Sequence, residues 1–170
     1  DAALTRSVFD INEMCRRAII RRMQDLETKN LNMDCDFNPD PCPVYADRDR
    51  IEEVLVNLLD NAIKFTPDNG RIVLAAERKG QTVTVTVWDD GRPVPEEDRG
   101  KIFDRFFTAD PAHTSGKGTG LGLSICLRIL EMHGQSIRLM TDAENAAYGG
   151  GGTGFRFTLV AGETGVGSAA

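Results

Sequence analysis

Residues 53–67 read EVLVNLLDNAIKFTP, and two stripes run through them. Ile51, Val54, Leu55, Leu58, Leu59, Ala62 and Ile63 recur at helical spacing, which predicts a helix with one face in a core. Glu53, Asn57, Asn61 and Lys64 fall at i, i+4, i+8 and i+11 and share another face. Glu53 alone reads as solvated surface. Asparagine is a poor helix former, so a pair one turn apart has a cost that a merely wet face does not explain. Amide oxygens are hard ligands suited to Mg²⁺, and an ammonium group meets phosphate as a point charge. The helix starts near Asp47 or Asp49 and stops at the breaker cluster Thr66-Pro67-Asp68-Asn69-Gly70.

Outward from this helix the chain alternates elements. Asp10 and Glu13 have capping-box spacing and open an earlier helix carrying Ile11, Met14, Cys15, Ala18, Ile19, Met23 and Leu26. Leu31 to Phe37 alternates as a half-buried strand, and Pro39, Pro41 and Pro43 then argue against regular structure. Arg71 to Arg78 and Thr82 to Trp88 read as strands joined by Lys79-Gly80-Gln81, the second with a wetter threonine face. Asp89 to Gly118 is long and irregular, with Glu96 to Phe107 as its one helical stretch, and loops of such length are commonly functional lids. Thr119 to His133 reads as a helix capped by Gly134, and Ser136 to Thr141 and Thr153 to Val160 as closing strands. The expected class is an α/β (α+β) two-layer sandwich, three main helices on a mixed sheet.

Composition narrows the field. The 170 residues carry 20 Lys+Arg against 26 Asp+Glu, a net charge of −6. That balance, with no basic patch, argues against nucleic acid as a partner. No run approaches the ~18 apolar residues of a membrane span. Cys15, Cys35, Cys42 and Cys126 form no CxxC pair, and with two histidines in the chain a zinc site is not expected. Reduced thiols in a cytoplasmic setting are the expectation.

Two further segments carry chemistry. Val87-Trp88-Asp89-Asp90-Gly91 ends a strand in a carboxylate, and an ionised Asp is a pure acceptor suited to an amino donor such as that of adenine. Gly116-Lys117-Gly118-Thr119-Gly120-Leu121-Gly122-Leu123 opens a helix with alternating glycines. Free N–H groups and the helix dipole favour phosphate there, while the spacing matches neither a P-loop nor a GxGxxG fingerprint.

Glu53–Pro67, Asp89–Pro95 (DDGRPVP), Ile102–Phe107 (IFDRFF) and Gly118–Leu123 (GTGLGL) stand in an order that resembles the N, G1, F and G2 boxes of the ATP-binding catalytic domain of sensor histidine kinases. That family lies within the ATPase superfamily of gyrase, Hsp90 and MutL, and the resemblance implies a Bergerat-type sheet with a long ATP lid. It also implies a domain over residues 9–160, a lid at about 92–118, residues 1–8 as linker from a helical dimerisation domain, and 161–170 as tail. By the same resemblance Asn61 is the Mg²⁺ ligand, and Asn57 and Lys64 are further contacts on the phosphate or metal side. Asp89 reads adenine with Gly91 behind the base. Lys117, Gly118, Thr119, Gly120, Leu121 and Gly122 form the phosphate-facing turn. Arg105 resembles the lid arginine that meets the γ-phosphate or the partner histidine.

One position separates the relatives. Gyrase- and Hsp90-like enzymes place a Glu, as base for water, where this chain has Asn57. An amide takes no proton at neutral pH, which favours transfer to a protein acceptor over hydrolysis. Neither His113 nor His133 has the setting of an acceptor. The resemblance therefore implies an isolated, monomeric catalytic part, acting on a histidine of a separate dimerisation and phosphoacceptor domain and indirectly on a response regulator. The parent protein of such a part is often membrane-anchored. Two departures bear on affinity: Pro93 replaces the second glycine of the G1 box, and Thr108 stands where many relatives have Arg. They keep open a nucleotide-blind docking module of the same fold; a gyrase- or MutL-like ATPase is the other alternative.

Overall fold

The computed structural model describes residues 3–107 and 122–163. The strands are β1 (Arg6–Asp10), β2 (Asn32–Asn38), β3 (Pro43–Asp47), β4 (Arg71–Lys79), β5 (Thr82–Asp89), β6 (Ile137–Leu139) and β7 (Thr153–Ala161). The helices are α1 (Ile11–Arg21), α2 (Met23–Thr28), α3 (Arg48–Phe65), α4 (Gly122–Met132) and α5 (Asp142–Ala146). The sheet runs β1-β3-β7-β5-β4-β2, with β6 also paired to β7. Only the β2–β4 pair is parallel among these. One face carries α1, α3 and α4 over a continuous apolar core that includes Ile51, Leu55, Leu58, Leu59, Val85, Val87, Leu130 and Phe157. The other face has a small cluster of Val73, Ala75, Trp88 and Met140, with Tyr148 packed against it. No helix among the described residues is long and apolar enough to cross a membrane.

The helix expected around residues 53–67 forms for the reasons its sequence suggests. Asp47 caps it, its Oδ1 accepting from the Arg50 N–H at 3.3 Å, and its seven apolar stripe residues are all buried. Thr66, extended at φ −77° and ψ 131°, ends it because a residue before proline avoids the helical region.

Elsewhere local reading fell short. Arg6–Val8, expected as linker, lie in edge strand β1, which pairs antiparallel with β3. Pro43 opens β3, where a strand's first residue needs no N–H, and its carbonyl accepts from Gly162 N–H at 2.9 Å. Ala161, expected in the tail, closes β7 opposite Val44. The first helix breaks at Arg22, whose Nε binds Asp60 at 2.5 Å while Leu26 stays in the core. Glu96–Phe107 is a 3-10 turn at Glu96–Asp98 followed by further turns. Long-range anchoring decides that segment: Ile102 is buried, and Phe103 packs edge-on against Phe155 with centroids 6.0 Å apart. The last hairpin region hides α5, held by a Thr141/Glu144 capping box.

His133 is structural. It is 8% exposed, its Nδ1 donates to the Ile129 carbonyl at 2.8 Å, and its Nε2 accepts from the Asp47 N–H at 3.0 Å. The imidazole thus ties the end of α4 to the cap of α3. His133→Ala leaves a buried N–H without an acceptor and is expected to cost about 2–3 kcal/mol in urea denaturation; a loss below 0.5 kcal/mol, the usual range for surface substitutions, contradicts the tie.

Candidate functional site

The site runs along α3, from its C-terminal turn, which meets the Gly91 turn after β5, back to Asn57, which lies beside the start of α4. Side chains of β5 alternate, so Val83, Val85 and Val87 enter the helix-covered core and Asp89 follows on the same face. Asp89 is 6% exposed, and its Oδ1 accepts from the Gly91 N–H at 2.8 Å. Burial pushes its carboxyl up to about 7, aided by Asp90; the Gly91 N–H and the Lys29 ammonium pull the other way. A buried carboxylate with one internal donor retains acceptor capacity for an incoming amino group.

Gly91 is where β5 touches α3. A Cβ there would lie 2.7 Å from the Phe65 carbonyl oxygen and 2.8 Å from Asp89 Oδ1. Gly91→Ala therefore forces the end of α3 away from the Asp89 turn, and is expected to lower stability by about 1–3 kcal/mol in urea denaturation. Unchanged stability would mean that this close approach is not needed.

Asn57, Asn61 and Lys64 are half-buried along one face of α3. The Asn57 side chain bonds the Cys126 side chain, and a Cβ on Gly122 would lie 3.8 Å from Asn57 Oδ1, so the first turn of α4 runs beside Asn57. The Lys64 ammonium lies 4.9 Å from the centroid of the exposed Phe65 ring. Arg105 is exposed, its guanidinium 5.5 Å from the Phe106 ring centroid. Lys117, Gly118, Thr119, Gly120 and Leu121, with His113 and Thr108, lie outside the described residues. The structure thus brings Asp89, Gly91 and the end of α3 together, and Asn57 beside Gly122.

Cys126 is buried, and desolvation pushes its thiol up to about 12, which makes it a packing group beneath the site. Two contributors escaped the sequence reading. Thr153 faces Asp89 across the β5–β7 ladder and donates from Oγ1 to the Arg92 carbonyl at 2.9 Å, pinning the start of the segment that follows β5. Lys29, at the end of α2, donates from Nζ to the carbonyls of Ile63 at 2.6 Å and Lys64 at 3.3 Å. No local pattern marks Lys29; Thr153 follows a glycine run that could have flagged a turn beside the site.

Comparison with known proteins places this geometry. The family description "Histidine kinase-, DNA gyrase B-, and HSP90-like ATPase" matches residues 46–163. The adaptive-response sensory kinase SasA of Thermosynechococcus vestitus is 39% identical over 153 residues, 89% of this chain and 38% of that protein. The chain thus spans under two fifths of that kinase. The catalytic domain of histidine kinase ThkA superposes with a TM-score of 0.79 at 36% identity, over 92% of this chain and 98% of that domain. ThkA solved in complex with the response regulator protein TrrA gives 0.75 at 33% identity, over 91% of this chain and 41% of that one. The mixed sheet with helices on one face is the Bergerat architecture of those domains. With the match running from the last residues of β3 through β7, the chain belongs to the histidine kinase-, DNA gyrase B- and HSP90-like ATPase family, in the branch of histidine kinase catalytic domains.

Proposed function

We propose that this domain binds Mg-ATP and passes the γ-phosphoryl group to a histidine on a separate helical dimerisation domain, as the catalytic part of a two-component sensor kinase. The observation that carries the reading is the buried Asp89 at the end of β5, whose Oδ1 holds the Gly91 N–H while Gly91 abuts the Phe65 carbonyl at the end of the amide-bearing helix α3. Asp89 accepts from the adenine amino group, and Gly91 leaves the base room to approach. Lys64 and the first turn of α4 meet the phosphates by charge and by N–H groups. Arg105, exposed at the edge of the lid, is placed to meet charge on the transferring group.

Asn61 and Asn57 offer neutral amide oxygens, a donor set that fits Mg²⁺ bound by one or two protein ligands and completed by phosphate oxygens and water. Held by Asn61 and Asn57, Mg²⁺ would supply positive charge against the phosphates. Asn57 offers no base to activate water, which favours transfer over hydrolysis. A response regulator then takes the phosphoryl group from the histidine, and the domain works in the cytoplasm, where ATP is.

Calorimetric titration of the chain with a non-hydrolysable ATP analogue, with and without Mg²⁺ and against GTP, tests the reading. Adenine-selective, Mg²⁺-enhanced binding is expected despite Pro93. A folded sample that binds no nucleotide would overturn it and favour a docking module. Phosphate release without an acceptor, at the rate of transfer or above, would favour an ATPase.

A further inference from the structure

We propose that Lys29, far from every motif of the site in sequence, is the positioning residue of the adenine pocket: its ammonium group holds the last turn of α3 against the Asp89 turn. This rests on the adenine role given to Asp89 above. The part-buried Nζ donates to the carbonyls of Ile63 and Lys64, the unsatisfied end of α3, where the helix dipole favours a positive charge. The very next carbonyl, that of Phe65, is the one that Gly91 abuts.

Lys29 is brought there by a clasp of two turns. Asn30 and Asn69 both adopt left-handed φ values, 52° and 69°, and their side chains bond at 2.8 Å, Asn30 Nδ2 donating to Asn69 Oδ1. The Asn69 N–H donates to the Lys29 carbonyl at 2.8 Å and the Asn32 N–H to the Gly70 carbonyl at 2.9 Å. The clasp continues into the site, because Asp90 and Arg71 exchange N–H bonds: Arg71 N–H to Asp90 Oδ1 at 3.0 Å and Asp90 N–H to the Arg71 carbonyl at 3.1 Å. A backbone relay thus runs from α2 through the Asn69 turn to the Asp89 turn.

The groups around Asp89 make the charge of Lys29 matter. On its own turn stand the Gly91 N–H, which stabilises the carboxylate, and Asp90, which opposes it. From β7 comes the uncharged Thr153, and from α3 the Phe65 backbone. Lys29, from α2, is the one cation among the described residues that favours ionised Asp89.

The test measures ADP affinity by calorimetry from pH 5.5 to 8.5 for the full chain and for Lys29→Met and Lys29→Arg. The unmodified chain should lose affinity as pH falls through about 7, where Asp89 takes up a proton. Lys29→Met should move that midpoint up by about half to one pH unit, with affinity at pH 7.5 falling about 1.5- to 3-fold, as expected when an opposite charge near a carboxylate is lost. Lys29→Arg should restore the midpoint. A Lys29→Met midpoint identical to that of the unmodified chain overturns the inference while leaving the adenine role of Asp89 standing. Absence of ADP binding by the folded, unmodified chain overturns both. If circular dichroism shows that Lys29→Met does not fold, Lys29→Gln, a donor without charge, decides: an unmoved midpoint sinks the proposal and a raised one supports it.

Discussion

Asp89→Asn is expected to lower ATP affinity by about 100-fold or more while the domain stays folded. The amide presents an N–H₂ where the adenine amino group needs an acceptor, and sites built around a buried polar contact discriminate by two or more orders of magnitude when it is lost. The effect should be base-selective, with the already weak binding of GTP little changed. Stability should move the other way. Asp89 titrates at about 7 in the fold against 3.8 for the free side chain, because burial disfavours its charge. The folded state therefore holds the extra proton, and the chain loses stability as pH rises from about 4 to 7. Asn carries no charge, so the variant should lack that loss and denature at a higher urea concentration than the unmodified chain at pH 8. ATP affinity close to the original would remove Asp89 from the adenine site.

Asn61→Ala is expected to reduce Mg²⁺-dependent phosphoryl transfer to a supplied helical-domain histidine by about 100- to 1,000-fold, the scale seen when a positioned group that steadies developing charge is removed. Asn61 is half-buried on the polar stripe of α3, so its truncation leaves the apolar stripe untouched. Circular dichroism and the urea midpoint should accordingly be near those of the unmodified chain. The split between binding and transfer is informative: nucleotide affinity without Mg²⁺ should change little, and the Mg²⁺ enhancement should vanish. Transfer at the unmodified rate would assign the cation to other groups.

Much of this was legible because it is local. The stripes of α3, the alternation of β5 and the Asp-Asp-Gly turn after it are written in periods of 3.6 and 2 and in breaker residues, which need no distant partner to be read. What the local signal missed shares one cause. Arg6–Asp10 becomes a strand because β3 offers it a ladder, and Glu96–Phe107 gives up helix because Ile102 and Phe103 are claimed by the core and by Phe155. Propensity is a weak prior, and burial of one large side chain outweighs it.

By itself, then, the sequence determined the class of the fold, the helix that carries Asn57, Asn61 and Lys64, and the placement of Asp89 at a strand end. Only the tertiary structure decided the strand order, the parallel joining of β2 to β4, the burial of Asp89, the tie from His133 to Asp47 and the reach of Lys29 to the end of α3. The physical reason is range. Helix and strand periods are set by neighbours a few residues away, whereas desolvation and cross-chain hydrogen bonds such as His133 to Asp47, 86 residues apart, exist only once the core has closed around them.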